Sequence, residues 1–106
     1  MTGTSRRAEA LALLGLAQRA GAVVKGTDRA RQAIRKEEVR LVLLAEDGSR
    51  TQHEKIRPLA RARGVRCVIL ADRARLGAAV GSGPLATVAV TRRSFAEKLE
   101  ALLGRD

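Results

Sequence analysis

Lys25-Gly26-Thr27-Asp28-Arg29-Ala30-Arg31-Gln32-Ala33-Ile34-Arg35-Lys36, continuing through Glu37-Glu38-Val39-Arg40 into Leu41-Val42-Leu43-Leu44-Ala45, joins a glycine-opened basic helix to a buried strand. Gly26 reaches backbone angles that other residues avoid, and Thr27 or Asp28 is placed to cap the free amides of the next turn. Ala30, Ala33 and Ile34 then fall at i, i+3 and i+4, an apolar face for a core, with Arg29, Arg31, Gln32, Arg35 and Lys36 toward solvent. The unbroken apolar run Leu41 to Ala45 implies a strand buried on both faces, so helices must cover both sides of its sheet. A helix N-terminus carries unpaired amides and a partial positive charge, which suits phosphate or base edges when cations flank it. An ordinary solvated amphipathic helix shows the same pattern.

Outward from this stretch, helices and strands alternate. Thr4 or Ser5 caps a first helix to about Arg19, whose core face is Leu13, Leu16, Ala17 and Ala20, and Gly21 ends it. Ala22-Val23-Val24 is a short strand. After the turn Glu46-Asp47-Gly48, the capping boxes Ser49-x-x-Gln52 and Thr51-x-x-Glu54 announce a third helix with core residues Ile56, Leu59 and Ala60. Pro58 should kink that helix or displace its start. Val65 to Leu70 is the third strand, and Asp72 caps a short helix holding Leu76, Ala79 and Val80. Gly81-Ser82-Gly83-Pro84 is a loop and Leu85 to Val90 the fourth strand. Thr91 caps the last helix, with the stripe Phe95, Leu99, Leu102 and Leu103. Such alternation predicts an α/β/α sandwich with a small parallel or mixed sheet, burying Leu43, Val68, Val88 and Leu99.

The 106 residues, 45% hydrophobic, suit one domain with a real core, residues 1–4 forming a flexible tail. Lys and Arg number 21 against 11 Asp and Glu, a net charge of +10 that favours a polyanionic partner. Membrane binding would call for bulky aromatic insertion, and the chain has one Phe and neither Trp nor Tyr. For the same reason base stacking on a strand face is unsupported, and Phe95 reads as core. Cys67, the lone cysteine, reads as a small buried residue of a reducing compartment. One Cys and one His, His53, supply neither a zinc site nor a nucleophile pair. The first segment is not an export signal: Glu9 interrupts it, and Gln18 and Arg19 follow an apolar run of only eight residues. A cytoplasmic, non-enzymatic, cofactor-free protein is expected.

The chain resembles the kink-turn-binding ribosomal proteins of the seven-Ae and thirty-e superfamily, and within it the small bacterial YlxQ-type proteins. The resemblance rests on Leu14-Gly15-Leu16-Ala17-Gln18-Arg19-Ala20-Gly21, Lys25-Gly26-Thr27, the basic second helix, Leu41 to Asp47, Leu76-Gly77-x-Ala79-x-Gly81, Val88-Ala89-Val90-Thr91 and Phe95-Ala96-x-Lys98-Leu99. It implies a three-layer α/β/α fold on a four-stranded mixed sheet, binding RNA through the loop and N-terminus of helix two. It further implies that Leu85 and Ala86, beside Pro84, pack on an extruded base. Strong kink-turn binders of the family carry Gly-Thr-Asn-Glu here and a Lys one turn on. This chain keeps Gly26 and Thr27 but has Asp28, Arg29 and Gln32 at the other three places. Asp28 can accept from a guanine amino edge, whereas Arg29 can only donate.

RNA recognition is therefore expected from Lys25, Gly26, Thr27, Asp28, Arg29, Arg31, Gln32, Leu85 and Ala86, acting on bulged or kink-turn-like structured RNA, ribosomal or other. Ribosomal proteins are secondary partners, and the chain is expected to be a monomer. The alternative is a protein-interaction or assembly module of the translation or transcription machinery with weak RNA binding.

Overall fold

Every residue of Leu41–Ala45 is buried in the computed structural model, which describes residues 5–104. The elements are α1 (Arg6–Arg19), β1 (Val23–Lys25), α2 (Thr27–Arg35), β2 (Leu41–Ala45), α3 (Arg50–Ala62), β3 (Cys67–Ala71), α4 (Arg73–Ala79), β4 (Thr87–Val90) and α5 (Arg93–Leu103). The tail at residues 1–4, and with it Thr4 as a cap, lies outside the described residues.

The sheet order is β1-β4-β2-β3. β2 and β3 are parallel, and β4 runs antiparallel to both β1 and β2. Alternation along β2 divides the interior in two. Leu41, Leu43 and Ala45 join Leu14, Leu76 and Leu99 beneath α1, α4 and α5. Val42 and Leu44 join Ala30, Ile34, Ile56 and Ala60 beneath α2 and α3. The expected sandwich on a four-stranded mixed sheet is thus the fold, and Leu43, Val88 and Leu99 are fully buried.

Val68 is only half-buried, because β3 has β2 on one side and no strand on the other. The face of α1 also differs from expectation. Ala10, Leu14 and Ala17 are buried, while Ala20 is exposed and Leu16 is 49% exposed. The cause is Gly15, where a Cβ would stand 3.1 Å from the Ala79 carbonyl oxygen. That close approach turns α1 onto α4 and carries Leu16 outward.

Ser5, Ser49 and Asp72 cap α1, α3 and α4 by accepting from the amides of Ala8, Gln52 and Arg75. Thr51 lies inside α3, so only the first of the two capping boxes is used, and Gln52 does not complete it: its Oε1 is buried without a partner. α3 runs through Pro58 and its start is not displaced. Thr91 does not cap α5. Its amide donates to the Ala22 carbonyl, which keeps it in line with the sheet, and Arg92 takes the cap position instead.

The carboxyl ends of four helices meet a basic side chain from elsewhere in the chain. Arg92 donates to Ala20 O after α1 (3.2 Å), Arg63 to Arg35 O of α2 (2.9 Å), Lys25 to Val80 O after α4 (3.4 Å) and Arg66 to Gly104 O after α5 (3.3 Å). Each cation satisfies a carbonyl that the helix leaves free and opposes the negative end of its dipole.

Candidate nucleic-acid interface

Because β1, β2 and β3 run one way and β4 the other, the ends of the first three strands and the start of the fourth share one end of the sheet. Gly26 follows β1 there, Glu46 and Asp47 follow β2, Asp72 follows β3, and the Gly81 to Ala86 loop leads into β4. Ligands of α/β sheets gather at such strand ends. Pairing of Lys25 with Val88 continues outward as the Gly26 amide donates to the Thr87 carbonyl at 3.0 Å. The glycine loop and the Leu85-Ala86 segment are therefore neighbours, which hydrophobic periodicity could not establish.

Gly26 is itself the N-cap of α2, at φ 99° and ψ 152°. Neither Thr27 nor Asp28 caps, since both lie inside the first turn, and no side chain replaces them. The opening amides of the helix consequently have no side-chain acceptor. A Cβ on Gly26 would meet nothing within 4 Å, so glycine is required here by backbone angle, and the space beside it is open to a ligand.

Around this opening the expected residues differ in role. Asp28, Arg29 and Gln32 are exposed. Arg31 is half-buried, with its Nε buried and unpartnered. Lys25 is half-buried and directs its ammonium at the Val80 carbonyl, so it braces α4 as well as lending charge. Thr27 Oγ1 lies 3.0 Å from Thr87 Oγ1. Leu85 and Ala86 precede β4, which starts at Thr87. Both are half-buried, and Leu85 packs partly against the core. Its amide donates to Arg73 O, and the Ala86 carbonyl accepts from Ala45 N.

Two residues outside the expected set position this site. Thr87 is fully buried, and its hydroxyl ties the start of β4 to the start of α2. A lone threonine in Leu85-Ala86-Thr87-Val88-Ala89-Val90 was the available signal. Gly77 lets the loop cross α4: a Cβ there would lie 2.7 Å from the Gly83 carbonyl carbon and 3.1 Å from Pro84 Cα. The two carboxylates that follow β2 are matched by cations, Glu46 by Arg7 at 3.5 Å and Asp47 by Arg73 at 3.7 Å.

The arrangement is that of a small α/β/α module with an uncapped helix start and cations at one end of its sheet. The chain belongs to the Ribosomal protein L7Ae/L30e/S12e/Gadd45 family, whose sequence pattern matches residues 8–100. It is 41% identical over 91 residues to RNA-binding protein YlxQ of Bacillus subtilis (strain 168), covering 86% of this chain and 91% of that one. RNA-binding protein YlxQ of Enterococcus faecium is 29% identical over 97 residues, or 92% and 93% of the two chains. A solved protein of unknown function from Bacillus halodurans superposes with a TM-score of 0.86 at 28% identity, over 90% of this chain and 96% of that one. The 15.5 kD RNA binding protein of Giardia lamblia shares the fold at a TM-score of 0.74 and 21% identity, over 94% and 92%. The superfamily resemblance read from the residues is thereby borne out.

Proposed function

We propose that this protein binds structured RNA through the N-terminus of α2 and the loop before β4, favouring bulged or kink-turn-like sites of ribosomal or other cytoplasmic RNA. It acts as a monomer, by binding without turnover. The carrying observation is the juxtaposition of an uncapped, glycine-opened helix start with the Pro84 to Ala86 loop, on a chain of net charge +10. The names of the B. subtilis and E. faecium relatives support the ligand class. The opening amides of α2 and Arg29 meet phosphates, the Asp28 carboxylate accepts from a base amino edge, and Leu85 and Ala86 offer apolar contact to an unstacked base.

Gel-shift titration tests this. The parent should prefer bulged RNA over plain duplex, with affinity falling about one log unit per log unit of salt for each phosphate neutralised. Asp28→Ala should narrow the preference, and Asp28→Asn with Arg29→Glu should strengthen kink-turn binding despite lost cationic charge. Arg61→Ala is the remote control. Arg63 is unsuitable, since it holds the last carbonyls of α2. Weaker kink-turn binding by the double variant, or a larger loss from Arg61→Ala than from Asp28→Ala, places the interface elsewhere.

A further inference from the structure

The sheet has two edges, and they differ. β1 is three residues long and ends in Lys25. β3, Cys67-Val68-Ile69-Leu70-Ala71, has five residues and no charge or proline, the usual devices that keep an open edge from recruiting another strand. Among the described residues β3 pairs with β2 alone. The Val42 amide donates to the Arg66 carbonyl, so Arg66 and Val68 turn their backbone groups toward β2. Cys67 and Ile69, at the alternate positions before the register shift at Leu44/Ala45, turn theirs outward.

Beside this edge, Arg57 and Arg61 stand one helical turn apart on α3, and both are exposed. With Gly64, Val65, Arg66 and Cys67 they line an open cavity of about 370 Å³. Arg66 is engaged by Glu100 and the Gly104 carbonyl, whereas no described carboxylate pairs with Arg57 or Arg61. The edge therefore offers unpaired ladder groups, half-buried apolar side chains and two uncommitted guanidiniums.

We infer that β3 is a docking edge for an extended acidic segment of a partner protein, added as a fifth strand with its carboxylates on Arg57 and Arg61. A second copy of this chain does not fit: edge-to-edge pairing would bring both copies' arginines together on molecules of +10 each. Roughly three strand spacings, about 14 Å, separate β3 from β1, at whose end α2 begins. RNA and the acidic strand could then be held together, and the inference does not require the RNA reading to be right.

A blocked seven-residue peptide of alternating Glu and Val is the probe, with a Lys-Val peptide as the control. Amide exchange followed residue by residue should show Cys67 and Ile69 exchanging fast in the free protein and slowly with the Glu-Val peptide. Arg57→Glu with Arg61→Glu, both at exposed positions, should weaken peptide binding by about tenfold or more while leaving kink-turn RNA binding within about twofold. Equal binding of the Lys-Val peptide, or binding without protection of these two amides, overturns the inference. So does a charge reversal that abolishes RNA binding instead, or a dimer in sedimentation of the free protein.

Discussion

The hydroxyls of Thr27 and Thr87, 60 residues apart in sequence, lie 3.0 Å apart and form a side-chain bond between the start of α2 and the start of β4. Thr87 is completely buried, so in the folded chain its hydroxyl meets Thr27 and not water. A double-mutant cycle with Thr27→Val and Thr87→Val should give a coupling of about 0.5–1.5 kcal/mol in urea unfolding. Additive single effects would show that the bond contributes nothing.

Gly26→Ala should destabilise the protein by about 1–2 kcal/mol, since φ 99° is strained for any residue with a Cβ. The space around the site is open, so the loss comes from the backbone and not from a clash. The urea midpoint of Gly26→Ala should lie below the parent's, and Gly26→Asn should lose about as much, since ψ 152° lies outside the left-handed region that asparagine tolerates. Equal midpoints for all three contradict the observed backbone angle.

Gly77→Ala should displace the Gly83-Pro84 crossing and cost about 1–3 kcal/mol, because the obstacle is backbone and cannot rotate aside. RNA binding should then lose its preference for bulged over duplex targets before it loses overall affinity. A variant with parental stability and parental preference contradicts the close packing described.

Glu37 occupies the left-handed region at φ 62° in the turn that ends α2. Its amide donates to the Ile34 carbonyl and that of Glu38 to Ala33, the pairing of a Schellman cap in which glycine is usual. Glu37→Gly should raise stability by about 0.5–1 kcal/mol, net of the added freedom of the unfolded chain. A lowered urea midpoint goes against this.

Burial pushes the Cys67 thiol up from its ordinary value of 9.0, outweighing the opposite pull of nearby Arg57. The folded protein thus holds this proton more tightly than the unfolded chain does. Its contribution to stability is full below the unfolded value and is lost as pH rises through the folded one. Above pH 9.0 the urea midpoint should fall more steeply for the parent than for Cys67→Ala, and parallel curves rule the effect out.

Much of this fold is legible where one physical cause dominates. The apolar run of β2 and the face Ala30, Ala33 and Ile34 are buried as periodicity requires, and Ser49 and Asp72 cap as their positions suggest. Reading failed where two causes competed. Thr91 has a capping side chain, yet its amide is held by Ala22. Leu16 is apolar, yet the contact at Gly15 turns it out. Val68 looks like core, and only the strand order reveals an edge. The candidate site shows the same division: Gly26 and its cations are visible in the chain, but the neighbour across the sheet depends on β1 pairing with β4. No local pattern encodes that pairing.

Lys25, Arg63 and Arg92 brace helix ends by donating to neutral carbonyls, with no described carboxylate paired to them; the fourth brace, Arg66, also pairs with Glu100. A strut made from an acid and a base would cancel itself; a cation on a carbonyl keeps its full charge while losing its freedom to wander. Building those three braces by adding a carboxylate at each would take the chain from +10 to +7 (10 − 3). The scaffold is thus also a fixed lattice of positive sources, oriented before any polyanion arrives and needing little rearrangement when one does.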